Sequence, residues 1–130
     1  MGHALTGPRA FVVGLAIALA LSACGGPSPQ KLADDTTRAI YAGDQSSTVA
    51  NFDDQLKPQV TRAQVGAISD AMHMLGDYKG LQMLDHDGNS GRYDFVANFD
   101  KGTMLVMLRM DTNGRIGAYR VSPTQGQAGS

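Results

Sequence analysis

The apolar positions along this chain change period three times, and each change marks a boundary. Phe11 to Leu21 (FVVGLAIALAL) is an unbroken apolar run. Gln30 to Ala42 places Leu32, Thr36, Ala39 and Ile40 on one side of a helix, a thin stripe. Gly43 can end that helix and Asp44 can cap a second over about Ser46 to Leu56, with Val49, Phe52 and Leu56 one turn apart and Pro58 as the stop. Thr61-Arg62-Ala63-Gln64 is a capping box. It opens a third helix through Val65, Ile68, Met72 and Leu75, with Gly76 at the C-terminal glycine position. Beyond Gly76 the period drops to two, predicting strands near Tyr78–Leu84, Arg92–Phe99, Thr103–Met110 and Ile116–Val121.

The register of those strands can be worked out from the turns. A Lys101-Gly102 turn pairs Phe99 with Met104, Ala97 with Val106, Phe95 with Leu108 and Tyr93 with Met110, all on one apolar face. On the other face it sets Asp94 against Arg109 and Arg92 against Asp111. An Asn113-Gly114 turn pairs Leu108 with Tyr119 and Val106 with Val121. For the first hairpin, a two-residue Asp87-Gly88 turn puts Gln82 on the apolar face. An odd loop centred on Gly88 instead aligns Leu81 with Phe95 and Met83 with Tyr93, and is preferred. The expected fold class is α+β: three helices over residues 31–122 packed on a curved four-stranded antiparallel meander, because only the helices can cover the apolar sheet face. Val96, Leu105 and Met107 fall on the opposite face, a candidate surface for a homodimer or protein partner.

The N-terminal run needs a different account. It is shorter than the roughly 20 residues a bilayer-spanning helix requires. A lead carrying Arg9, a short apolar core and small residues at its end are the parts of a secretory signal peptide. Leu21-Ser22-Ala23-Cys24 resembles the lipobox of bacterial lipoproteins at all four positions, and Cys24 is the only cysteine. The resemblance implies a signal peptide over 1–23, cleavage before Cys24, and lipid on its sulfur. The expected location is then the exported side of a bacterial cell membrane. Met1-Gly2-His3-Ala4-Leu5-Thr6 also fits an N-myristoylation pattern, but that modification leaves the apolar run without a use. Residues 24–30 are read as the lipidated cysteine and a flexible tether, of which Gly25-Gly26-Pro27-Ser28-Pro29 reaches about 20 Å. Residues 123–130 read as a disordered tail.

Composition narrows the partners. About 107 residues remain after Ala23, enough for one small core. All 12 acidic residues are Asp, against 11 Lys and Arg of which Arg9 is lost with the leader. This balance speaks against nucleic acid as a partner and shows no basic patch for lipid headgroups. With Cys24 acylated, no internal disulfide can form.

The order of elements, three helices before an antiparallel sheet, resembles the cone-shaped fold of nuclear transport factor two, ketosteroid isomerase and scytalone dehydratase. More narrowly, Asn51-Phe52-Asp53-Asp54-Gln55-Leu56-Lys57 and Leu75-Gly76-Asp77-Tyr78-Lys79-Gly80-Leu81 are similar to an uncharacterised bacterial family often carried on lipoproteins. The likeness spans about Leu32 to Val121 and implies a fold, not a reaction.

Candidate chemistry is sparse. Asp85-His86-Asp87-Gly88-Asn89 resembles the start of a calcium loop but has its glycine too early and Val96 where a bidentate Glu belongs, so it reads as a turn. His73 has no second ligand at i+4, though a pairing with Asp77 is conceivable. Neither a nucleophile elbow nor a phosphate loop is present, and nothing calls for a metal or cofactor. Isomerase-like chemistry needs a carboxylate in an apolar cavity, whereas the inward strand positions carry Tyr93 and Tyr119 and no Asp. The methionines are read as adaptable core filler ahead of a pocket lining. A pocket, if formed, would draw on Phe52, Met72, Tyr93, Phe95, Met104, Leu108 and Tyr119 and take an apolar ligand. The expected function is a membrane-anchored envelope lipoprotein with a non-catalytic binding or accessory domain; the alternative is a small isomerase- or dehydratase-like enzyme using the cone cavity.

Overall fold

Ser28 and Pro29 start the first helix: the Ser28 hydroxyl accepts from the Lys31 N–H at 3.1 Å, and Pro29 occupies a first-turn position where no N–H is needed. The computed structural model describes residues 27–124, so Cys24 and the expected signal peptide over 1–23 lie outside the described residues. Helix α1 spans Pro29–Tyr41, two residues into the expected tether. Its thin stripe suffices because Ala33 and Thr37 join Leu32, Thr36, Ala39 and Ile40 in the buried face. The Thr36 hydroxyl is buried with no hydrogen-bond partner among the described residues. Removing such a group without changing the side-chain shape relieves a desolvation cost. Thr36→Val is therefore expected to raise stability by about 1 kcal/mol and the melting temperature by about 4–8 °C. A drop in the melting temperature would show that the hydroxyl is bonded after all.

Gly43, at φ 72°, turns the chain, and Asp44 caps α2 by accepting from the Ser47 N–H. That helix spans only Gln45–Thr48, a correction to the expected run to Leu56. The cause is long-range. The Asn51 carbonyl accepts from the Ile116 N–H at 2.9 Å and the Asp53 N–H donates to the Ile116 carbonyl at 2.8 Å, which clips Phe52 to a strand edge as a parallel bridge. The Asp53 carboxylate then accepts from the N–H groups of Gln55 and Leu56, the local competition that draws Asp out of helix interiors. A single 3₁₀ turn over Lys57–Gln59 follows, with Pro58 inside it.

Helix α3 spans Arg62–Met74 with both bonds of the expected capping box formed. Four strands complete the domain: β1 Tyr78–Asp87, β2 Arg92–Phe99, β3 Gly102–Met110 and β4 Ile116–Pro123. They form one open antiparallel sheet in the order β1-β2-β3-β4. Over the described residues the protein is thus α+β, three helices against one face of a four-stranded antiparallel sheet. No helix among the described residues is long and apolar enough to cross a membrane.

Two of the three registers differ from expectation by two residues. Phe99 pairs with Gly102, so Asp100-Lys101 is the turn, and Phe95 faces Val106 while Tyr93 faces Leu108. Leu81 faces Ala97 and Met83 faces Phe95. A shift of two leaves side chains on their own face, so the apolar face survives through Met83, beyond which a bulge turns the end of β1 over and sets Asp85 opposite Asp94. The expected Asp94–Arg109 and Arg92–Asp111 pairs do not form, and Arg109 stands opposite Arg92. The third hairpin pairs Leu108 with Tyr119 and Val106 with Val121, as expected. What selects Asp100-Lys101 is contact with the α3–β1 connection. The Asp77 N–H donates to the Asp100 carboxylate at 2.8 Å, the Asp100 N–H to the Asp77 carbonyl, and the Lys101 N–H to the Leu75 carbonyl at 2.8 Å. Gly76 permits this approach: at φ 92°, a Cβ there would lie 2.7 Å from that of Asp100.

The core lies between helices and sheet. It holds Leu32, Ile40, Val65 and Met72 from the helices and Phe95, Phe99, Met104, Val106 and Leu108 from the strands, with Phe52 and Ile116 at the β4 side. Opposite, Tyr78 braces α1 against β1. Its hydroxyl donates to Asp34 at 2.6 Å, Arg38 binds the other Asp34 oxygen at 2.8 Å, and the Arg38 guanidinium sits 5.0 Å from the Tyr78 ring centroid. Partial burial pushes the Asp34 carboxyl up, but the Tyr78 and Arg38 hydrogen bonds outweigh it and hold it below its ordinary value. Burial, together with that bond to Asp34, pushes the Tyr78 phenol well above its ordinary value.

Candidate ligand cavity

The irregular segment 49–60 stands off from α3 and leaves a half-open cavity of about 430 Å³ between them. Each wall has a separate cause. The α3 wall is Val65, Ala67 and Ile68, with Gln64 at the mouth, and its orientation follows from the capping box that fixes the first turn. The opposite wall is Leu56, Gln59 and Val60. It is held by the Asp53 cap on Leu56, by the Gln45 side chain donating to the Val60 carbonyl at 3.1 Å, and by the Arg115 guanidinium, which donates twice to the Phe52 carbonyl at 2.9 and 3.2 Å. Ile40, Thr48, Phe52 and Tyr119 close the inner end.

The polar groups of this lining are largely committed. The Thr48 hydroxyl donates to the Asp44 carbonyl at 2.7 Å. The Thr37 hydroxyl gives its one hydrogen to the Ala33 carbonyl at 2.8 Å, so in its 2.7 Å contact with Tyr119 it accepts and the phenol donates. Burial pushes the Tyr119 phenol well above its ordinary value, and the ring serves as a neutral apolar wall 6.2 Å from that of Phe52. At the mouth, Gln59 donates to the Gln55 carbonyl and Gln64 accepts from the Thr61 N–H. That leaves the Gln59 Oε1 and the Gln64 Nε2 without partners among the described residues. The arrangement is an apolar chamber with one acceptor and one donor at its rim, and no carboxylate, imidazole or ammonium in its lining.

Of the residues expected to line a pocket, Phe52 and Tyr119 do so. Met72, Phe95, Met104 and Leu108 are instead packed between helices and sheet, at 0, 0, 6 and 0 % exposure, and have no free surface for a ligand. Tyr93 is half-buried near the far end of the sheet, stacked on His86 at 5.7 Å. The pattern reading missed the other nine lining residues, among them Gln59, Val60 and Gln64. The available signal was Val60, an apolar residue isolated between Pro58 and the Thr61 cap that no helix face could absorb.

The other candidates resolve into structural roles. His73 stacks on Tyr41 with ring centroids 4.0 Å apart, and its Nδ1 lies 2.8 Å from the Ser69 carbonyl, which places the proton on that nitrogen. The Asp77 backbone is bound by Asp100 rather than by His73. Asp85, His86 and Asp87 are the end of β1, and the Asp87 carboxylate accepts from the Asn89 N–H in the turn that follows. Among the described residues no three potential metal ligands converge.

Compared with protein-family models, curated proteins and solved structures, the chain matches none.

Proposed function

We propose that this chain is a lipid-anchored bacterial envelope protein whose single domain, a curved cone-like variant of the nuclear transport factor two architecture, binds a neutral apolar molecule in the cavity between α3 and segment 49–60. The observation that carries the binding reading is the chemistry of the lining: an apolar chamber of about 430 Å³, with a lone amide donor and acceptor at the mouth. Pockets of this size hold small ligands by apolar contact, with a few polar groups fixing orientation. The lining favours a molecule with an apolar body and one uncharged polar end. It also supports binding over isomerase- or dehydratase-like catalysis, because such chemistry needs a proton-transferring group in the cavity and the one candidate, Tyr119, spends its proton on Thr37. The anchor rests on the Leu21-Ser22-Ala23-Cys24 sequence, three residues ahead of Pro27.

The test uses N-phenyl-1-naphthylamine, a neutral apolar fluorophore, titrated into the mature chain, residues 24–130, carrying Cys24→Ser so that neither lipid nor the apolar run from Phe11 to Leu21 competes for it. Saturable binding is expected, and Ile68→Trp, which fills the chamber, is expected to weaken it by about tenfold or more. Leu105→Asp, on the other side of the sheet, should leave the titration unchanged. Fluorescence that never saturates, or that ignores Ile68→Trp, would refute the binding site.

A further inference from the structure

The outer face of the sheet carries its charges in a row divided by sign. Asp85 on β1 stands opposite Asp94 on β2, Asp94 opposite Met107 on β3, and Met107 opposite Arg120 on β4. These positions alternate with buried Phe95, Val106 and Leu108, so all four point away from the helices. With strands about 4.8 Å apart, Asp85 and Arg120 are about 14 Å from each other, too far to pair within one chain. The adjacent row sets Arg92 against Arg109. Like charges directly opposed destabilise a sheet, yet this face keeps two such pairs, Asp85–Asp94 and Arg92–Arg109. Arg92 is relieved by Asp94 at 3.1 Å. Among the described residues Arg109 hydrogen-bonds only the Gly117 carbonyl, at 3.4 Å, and Arg120 has no ion pair or hydrogen bond. Between the acidic and basic halves lie Val96, Leu105 and Met107, with Leu105 39 % exposed.

We infer that this face pairs with the same face of a second copy of the chain. A two-fold axis running along the strands between β2 and β3 lays β1 of one protomer against β4 of its partner and preserves height along the strands. The divided row then meets itself reversed. Asp85 of each protomer reaches Arg120 of the other, Val96 covers Leu105, and Arg109 falls opposite an Arg92 already compensated by Asp94. This is the self-complementarity an isologous interface requires. Asp85, Asp87 and Asp94 balance Arg92, Arg109 and Arg120 on this face, and that neutrality disfavours an anionic bilayer or nucleic acid as its occupant. Four strands of about eight residues span roughly 20 by 26 Å, the footprint of a modest dimer interface.

Sedimentation equilibrium of the mature chain, residues 24–130, carrying Cys24→Ser tests the pairing independently of the cavity and of the apolar run from Phe11 to Leu21. A monomer–dimer equilibrium in about the micromolar range is expected. Arg120→Asp and Asp85→Arg, both at exposed positions, should each weaken it by about tenfold or more, and the double exchange should restore it. A monomer at every concentration up to about 1 mM, a dimer indifferent to the single exchanges, or a double exchange that fails to restore association would each overturn the inference.

Discussion

Replacing Phe52 by Ala is expected to cost about 3–5 kcal/mol of unfolding free energy, a large part of the 5–15 kcal/mol that a typical domain possesses. Phe52 is 2 % exposed, among the largest fully buried side chains in the chain, and its ring packs against Tyr119. It also forms part of the inner end of the cavity. Truncation would join the space it vacates to a chamber that already exists, so the surroundings have little reason to collapse inward and the loss falls at the high end. The backbone contacts of residue 52 are unaffected, because the parallel bridge to Ile116 and the Arg115 bonds use main-chain atoms. Phe52→Leu keeps most of the apolar volume and should cost about 1–2 kcal/mol. Urea denaturation followed by circular dichroism measures both. A loss below about 1 kcal/mol for the alanine variant would mean that the ring is not the keystone between segment 49–60 and the sheet.

The same residue shows where sequence reading stops. Helices α1 and α3 and all four strands were legible because their signals are local: a capping box, a stop glycine, and a period of 3.6 giving way to 2. Face assignment was legible for the same reason, since alternation fixes it without reference to the partner strand. The β1–β2 and β2–β3 registers were not, because a slip of two keeps side chains on the same face and so leaves the alternation unable to choose between them. The choice is made by Asp100 gripping the Asp77 backbone, a contact between segments 23 residues apart. Segment 49–60 defeated the pattern similarly. Val49, Phe52 and Leu56 have helical spacing, but the backbone around Phe52 is claimed by Ile116, 64 positions along. The cavity exists because that segment is not a helix. Its lining was therefore out of reach of any reading that made it one, and the expected pocket fell instead on core residues such as Met72 and Phe95.

Cys24→Ala is expected to change the fate of the protein more than any substitution in the domain. Cys24 holds the chain's only thiol, so no other cysteine can accept the lipid in its place. The energetics make acylation decisive. Each buried CH₂ contributes about 0.8 kcal/mol, a single acyl chain gives a partition constant of only about 10⁴ M⁻¹, and stable anchoring takes two signals. A diacylglyceryl thioether supplies two chains at one sulfur. No helix among the described residues is long and apolar enough to cross a membrane. Fractionation alone would mislead, since an unprocessed variant would retain the apolar run from Phe11 to Leu21 as a crude membrane tether. Intact-mass measurement resolves this. In a bacterium that processes lipoproteins, the wild-type product should begin at Cys24 and carry the added mass of its lipid, and Cys24→Ala should retain residues 1–23 or be cut elsewhere, in either case without lipid. A wild-type product with a free Cys24 thiol would remove the anchor from the proposed function and leave the cavity reading to stand on its own.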